Sequence, residues 1–160
     1  MKKFSFLVPV FLFTVFSVSA QTPALRLVNS VLEVLEHPVT SEYTSSRPNV
    51  YTNSDQSITL LTDGEVVKTM LVSRQFYSSY ENETFAKQFI QQLQAAPDFR
   101  AVDLVPMFFV RDSYIYRANG VYIICYPPSM QMRNNTLYYP LQIFFTKDLS
   151  WYIQSLFNSR

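Results

Sequence analysis

Glycine occurs only twice in this chain of 160 residues, and each glycine follows a residue that favours a tight turn. Gly64 follows Asp63 within a β-rich run from 57 to 76, and Gly120 follows Asn119 within a second run from 113 to 126. Both dipeptides accept the positive φ angles of a two-residue hairpin turn. Because strands joined by tight turns pair antiparallel, the sequence predicts two β-hairpins in an antiparallel sheet.

Apolar residues at helical spacing predict three helices. The first has Thr22 as its N-cap, followed by a first-turn proline, and continues to His37. The second has an apolar face from Phe85 to Leu93, with Asn82 as its N-cap. The third begins after Asp148, which is a suitable N-cap.

The remaining segments divide into a loop and further strands. Residues 39–56 are rich in Ser, Thr, Asn and Pro and have no periodicity, which predicts a loop or linker. Strands are predicted at 100–105 and 107–112, and a long strand at "TLYYPLQIFFTK", where Pro140 indicates a sheet edge or a bulge. The expected fold is α+β: a single domain with an antiparallel sheet of about five to six strands and helices packed mainly on one face.

The first twenty residues have the pattern of a secretory signal peptide. Lys2 and Lys3 precede an apolar run from Phe4 to Val18, and Val18 and Ala20 suit a cleavage before Gln21. The apolar run of about 15 residues is short of the ~20 that a spanning helix needs. We therefore expect an exported, periplasmic or secreted domain at 21–160, with no membrane span after cleavage. Cleavage leaves 11 basic and 12 acidic residues, and this near-neutral balance argues against nucleic acid as a partner.

Cys125 is the only cysteine, so an internal disulfide is excluded and the core must be held by apolar packing. If the second hairpin turns at Asn119-Gly120, Tyr114 lies opposite Cys125 among aromatic and branched side chains. Such a site raises a thiol pKa, which predicts that Cys125 fills the core. A dyad with His37, or an intermolecular disulfide at an exposed edge, stays open as an alternative.

Other chemistries find little support in the sequence. His37, the only histidine, lies four residues after Glu33, but a helix-stopping proline follows it and no second histidine exists to complete a metal site. Phosphate-binding loops need glycines that this chain lacks. The acids Asp98, Asp103, Asp112 and Asp148 have no catalytic signature around them. No catalytic, metal or cofactor-binding residue is therefore predicted.

Tyrosine clusters offer the best candidate for a functional surface, because tyrosine combines a large rigid ring with a polar tip. The candidate binding surface consists of Tyr77, Tyr80, Tyr126, Tyr138 and Tyr139. The expected function is an exported, non-catalytic interaction protein that binds a protein partner of the cell envelope through a sheet edge, aromatic patch or groove. Two alternatives are a carrier of a small apolar ligand, held between sheet and helices, and a small hydrolase that uses acidic residues or Cys125.

Overall fold

A computed structural model describes residues 21–102, 113–126 and 129–158 of the chain. The elements in chain order are α1 (Pro23–Leu32), β1 (Thr44–Arg47), β2 (Val50–Thr52), β3 (Ile58–Asp63), β4 (Val66–Phe76), α2 (Ser79–Leu93), β5 (Arg100–Ala101), β6 (Tyr114–Ala118), β7 (Val121–Cys125), β8 (Gln131–Arg133), β9 (Thr136–Thr146) and α3 (Leu149–Asn158). The signal-peptide prediction at 1–20, the strand prediction at 107–112, the end of the strand prediction at 100–105, and the acids Asp103 and Asp112 lie outside the described residues.

The strands that the described residues contain form one antiparallel sheet of nine strands. Their order is β1-β2-β3-β4-β9-β7-β6-β5, and β8 pairs with the outer end of β9. The α+β class and the antiparallel sheet are confirmed. The predicted count of five to six strands is wrong, because short strands escaped the periodicity argument.

Two of these short strands, β1 and β2, lie inside the segment 39–56 that the composition predicts as a loop or linker. β1 is exposed along its whole length, so it carries no apolar alternation for a sequence reader to detect. β2 forms because Val50 pairs with Leu61 of β3 and Tyr51 pairs with Leu60. The β1–β2 ribbon therefore depends on the pairing of β2 with β3, and not on a pattern within residues 39–56.

Both glycines lie in hairpin turns, as predicted. Gly64 has φ +59° and Gly120 has φ +76°, and Asn119 shares the left-handed region at φ 49°. The pairing of Ala118 with Val121 places Asn119 and Gly120 in the two central positions, and Tyr114 pairs with Cys125. In the first hairpin Asp63 pairs with Val66, so the central positions are Gly64 and Glu65, one residue later than predicted.

Helix α1 begins at the predicted cap and ends earlier than predicted. The Thr22 hydroxyl accepts a hydrogen bond from the Leu25 amide at 3.3 Å, and the helix ends at Leu32 instead of His37. Glu36 takes a left-handed φ of 69°, and its amide donates to the Val67 carbonyl at 2.8 Å. Pairing with the start of β4 therefore replaces the last predicted turn of the helix.

Helix α2 begins one turn before the predicted cap. Ser78 is the N-cap and Asn82 lies within the helix, fully buried. The Asn82 side-chain amide donates to the Tyr139 carbonyl at 3.0 Å, so this asparagine fastens α2 to β9. Asparagine is a residue type that often caps helices, but the hydrogen bond from Asn82 to β9 decides its role here.

The sheet has a hydrophobic core on each face. Leu141, Ile143 and Phe145 of β9 point toward α1 and α2, on what we term the α1–α2 face. The intervening Phe144 points to the opposite, α3 face, where its ring centroid lies 5.4 Å from that of Tyr152 in α3. Full burial of a side chain such as Phe145 is worth about 1.5–3 kcal/mol, so strand β9 stabilises both layers.

Pro140 lies inside β9, at the junction between two pairing partners. On the β4 side it faces Gln75, and the strand continues unbroken. On the other side, the Tyr126 amide donates to the Gln142 carbonyl, and the β8 ladder begins at Tyr138. Alternate residues of a strand direct their backbone groups to the same side, so an N–H at position 140 would point the same way as the Gln142 carbonyl. The N–H that proline lacks would therefore face the gap between β7 and β8.

Candidate protein-binding surface

Cys125 is a core residue. Its side chain is buried, and burial raises the pKa of the thiol to about 12. It is paired in register with Tyr114 on one side and Ile143 on the other. A thiol with this pKa is almost entirely protonated near neutrality, which is a poor state for a nucleophile.

His37 lies far from Cys125 along the sheet. The His37 carbonyl accepts from the Val67 amide, whereas Cys125 aligns through Ile143 with Val72. Five residues of strand β4 separate these two levels, which is about 17 Å at the usual rise. Glu33 and His37 also do not share a helix face, because α1 ends at Leu32. The structure brings together neither the thiol–imidazole dyad nor the Glu33–His37 pair.

The two described aspartates of the hydrolase alternative have structural partners. Asp148 accepts from the Trp151 amide at 2.9 Å and so caps α3, as predicted. Asp98 accepts from the amides of Asn119 and Gly120, at 2.6 and 2.8 Å. Hydrogen bonds from the Gly120 and Asn119 amides, together with the nearby Arg117, hold the pKa of the Asp98 carboxyl below its usual value. Both carboxylates therefore accept hydrogen bonds from backbone amides and stabilise the backbone at a turn or a helix end.

The five candidate tyrosines do not share one surface. Tyr77 and Tyr80 are 72% and 75% exposed where β4 passes into α2, and Tyr139 is half-buried on the α1–α2 face. Tyr126 shares a hydrogen bond with the buried Tyr152 hydroxyl at 2.9 Å, on the α3 face. Tyr138 also points to the α3 side, where its hydroxyl donates to Gln131 Oε1 at 2.9 Å.

A different apolar set is exposed on the hairpin formed by β8 and the start of β9. We term it the hairpin surface: Met130, Met132 and Leu137, which are 66%, 68% and 43% exposed. Met132 and Leu137 are directly paired in register, so their side chains are cross-strand neighbours. Contiguous exposed apolar groups of this kind are typical of interaction sites.

The hairpin surface continues the line of core residues on the α1–α2 face. Leu137 alternates in phase with Tyr139 and Leu141, and the last of these is buried beneath the helices. Coverage by α2 stops near Tyr139, where the bond from Asn82 joins the first helical turn to β9. Beyond Tyr139, at Leu137, the same face of β9 is exposed.

Arg74 lies beside this line, on β4. It pairs in register with Leu141 and is exposed. Its guanidinium carbon lies 5.1 Å from the ring centroid of Phe76 and 4.8 Å from that of Phe85, so two rings hold the cation in place. Within the described residues, the ion pairs join Lys68 to Glu36 and Arg117 to Asp98, and Arg74 takes part in neither.

The α3 face contains a separate, open groove of about 600 Å³. Leu61, Leu71 and Phe144 form its apolar floor, Trp151 of α3 stands on one side, and Arg47 stands on the other. Trp151 is the only tryptophan in the chain. Apolar clefts of this size with a few polar groups can accept a small molecule.

No protein-family model, curated protein or solved structure matches this chain. Among the helices of the described residues, none has both the length and the apolar character needed to cross a bilayer. Within 21–102, 113–126 and 129–158, no three His, Cys, Asp or Glu side chains converge as a metal-ligand set. What the chain does must therefore be inferred from its own surfaces.

The sequence argument missed the hairpin surface and Arg74, because it searched for tyrosine clusters. A usable signal was present in the alternation of "TLYYPLQIFFTK", which places Leu137 in phase with Leu141 and Ile143. No local signal reveals the exposure of Leu137, because exposure depends on where α2 stops covering β9.

Proposed function

We propose that this chain is an exported, non-catalytic interaction protein of the cell envelope or the secreted milieu, which binds a protein partner through the hairpin surface. The supporting observation is the exposure of Met132 and Leu137 on the β8–β9 hairpin and of Met130 just before it. Methionine is flexible and polarisable and is frequent at protein-binding surfaces. Burial of such side chains against a partner supplies the hydrophobic gain that association needs.

Export is part of the proposal and is supported by the N-terminal pattern of two lysines, an apolar run and small residues before Gln21. Mass spectrometry of the protein recovered from the native cell checks it. We expect a mature N-terminus at Gln21 in the extracytoplasmic fraction. A full-length chain found in the cytoplasm would contradict export without affecting the binding surface.

The binding proposal is tested by site-specific photo-crosslinking in cells that produce the full chain. A photoreactive residue at position 132 should give a discrete adduct with one protein, and Leu137→Ser should remove that adduct. Position 131 is the matched control, because Gln131 is exposed on the same strand but points to the opposite side. Equal adducts from both positions, or none from position 132, would reject the hairpin surface as the binding site.

A second candidate function, a carrier of a small apolar ligand, is favoured by the groove with the floor of Leu61, Leu71 and Phe144. Trp151 makes the test direct, because it is the only tryptophan of the sequence and it lines this groove. Titration with the apolar dye N-phenyl-1-naphthylamine should quench Trp151 saturably, and Leu71→Gln should weaken that quenching. Linear, non-saturating quenching would contradict the carrier function.

A further inference from the structure

The guanidinium of Arg74 has an unusual environment for an exposed arginine. Arginine side chains on a surface normally move freely in water or pair with a carboxylate. Arg74 pairs with no carboxylate of the part of the chain that the structure describes, and it lies over the rings of Phe76 and Phe85, whose centroids are 5.6 Å apart. Two aromatic contacts restrict its rotamers before any partner arrives, which lowers the entropy cost of binding.

Both rings lie on the same side of the guanidinium, because their centroids are only 5.6 Å apart, and Arg74 is exposed, so its outward edge of N–H donors remains open to solvent. A carboxylate binds that edge with two parallel hydrogen bonds, an arrangement that a lysine cannot reproduce. Ring-supported arginines next to apolar side chains have the composition of interface hot spots. Charge complementarity therefore requires an acidic group on whatever covers this surface.

The position of Arg74 relative to the hairpin surface sets the spacing of the ligand. Arg74 is level with Leu141, and Leu137 lies four residues further along the same face of β9. Four residues of strand span about 13 Å. An extended peptide crosses that distance in about four residues, with alternate side chains facing the protein.

We propose that Arg74 and the hairpin surface form one docking site for an acidic peptide segment of the partner, with an Asp or Glu carboxylate on Arg74 and an apolar side chain against Met132 and Leu137. This assignment rests on the proposed function and names the chemistry of the partner. The apolar end supplies affinity, and the carboxylate selects the segment and sets its direction along the sheet.

The test uses a displayed library of random 12-residue peptides, selected against the mature chain that begins at Gln21. We expect the selected peptides to contain Asp or Glu at about four residues from Leu, Met or Phe. Arg74→Gln should weaken the Kd of these peptides by about tenfold or more, and Arg74→Lys should recover only part of that loss. Arg100→Gln is the matched control, because it removes an exposed strand arginine from β5, at the far edge of the sheet.

The outcomes separate this inference from the proposed function. Weaker binding by Met132→Ser with unchanged binding by Arg74→Gln would overturn the acidic anchor and leave the protein-binding role standing. Selected peptides without acidic residues, or no selected peptides at all, would also overturn the inference. Thermal melting of Arg74→Gln close to that of the parent chain establishes that the loss reflects recognition, since an exposed substitution changes stability little.

Discussion

Asp98 joins two parts of the fold that are distant in sequence, and its removal should destabilise the whole domain. Its carboxylate accepts from the Asn119 and Gly120 amides across 21 and 22 residues, at 2.6 and 2.8 Å. The Asn119 side-chain amide in turn donates to Asn29 Oδ1 of α1 at 3.1 Å. The turn between β6 and β7 is thereby held against both the α2–β5 connection and α1.

The size of the effect follows from these contacts. A hydrogen bond to a charged group contributes about 1.5–3 kcal/mol when it is shielded, but the Asp98 side chain is 42% exposed. Solvent reduces the contribution to about 1 kcal/mol for each bond, or about 2 kcal/mol in all. Asp98→Ala should therefore lower the Tm by about 6–8 °C in a domain of this length.

The effect should depend on pH in a defined direction. The folded state lowers the pKa of Asp98, chiefly through the bond from the Gly120 amide, so the folded state favours the charged form. Its contribution is complete above the unfolded pKa of about 3.9 and disappears as the pH falls through the folded value. Urea unfolding of the parent and Asp98→Ala chains between pH 7 and pH 2.5 measures this. The difference between them should be constant above about pH 5 and shrink below about pH 4.

Asp55→Ala is the matched control, because Asp55 accepts from Ser57, two residues away, and its other side-chain partner, Asn53, lies in the same loop. Local bonds of this kind close no long-range contact, so we expect a much smaller change in Tm. An Asp98→Ala difference that stays the same at pH 7 and pH 2.5 would refute the assignment of the stability to the ionised carboxylate. A loss no larger than that of Asp55→Ala would refute the long-range fastening.

Three further outcomes are expected. Cys125 should resist iodoacetamide in the folded chain at pH 8 and react in urea, because burial raises its thiol pKa to about 12; rapid native-state alkylation would contradict its burial. Asn82→Ala should cost about 1–2 kcal/mol in urea unfolding, because the Tyr139 carbonyl loses its donor, and a stability gain would show that the bond contributes nothing. Gly120→Ala should cost about 1 kcal/mol from φ strain alone, since no atom lies within 4 Å of an added Cβ, and an unchanged midpoint in urea would refute that strain.

Features set by adjacent residues were predicted well. Asn119-Gly120 forms its turn with the predicted register, and Thr22 and Asp148 cap the helices that they precede. Asn82 shows the limit of such reasoning. It has the composition of a cap, but the next suitable residue upstream, Ser78, begins the helix and Asn82 is buried against β9.

The predicted binding surface was placed on tyrosines, and the structure distributes those tyrosines over different surfaces. Tyrosine content indicated a contact surface, yet alternation along β9 sends Tyr138 and Tyr139 to opposite faces of the sheet. An exposed apolar pair that the tyrosine search did not include is Met132 with Leu137, beside an arginine that comes from a different strand. Strands β4 and β9 are adjacent because of the strand order in the sheet. Residues that are neighbours in space at this surface are therefore far apart in the sequence.

The amino-acid sequence alone determined the α+β class, the two glycine turns and the apolar setting of Cys125, because each depends on side chains within a few residues or directly across a tight hairpin. Tertiary structure decided the β1–β2 ribbon, the early end of α1 at Leu32 and the emergence of Leu137 from cover. These depend on backbone partners and helix positions supplied by segments far away in the chain. The backbone groups and apolar side chains of one segment are paired and covered by segments that are distant in sequence. A local sequence pattern therefore does not show which partners they will have.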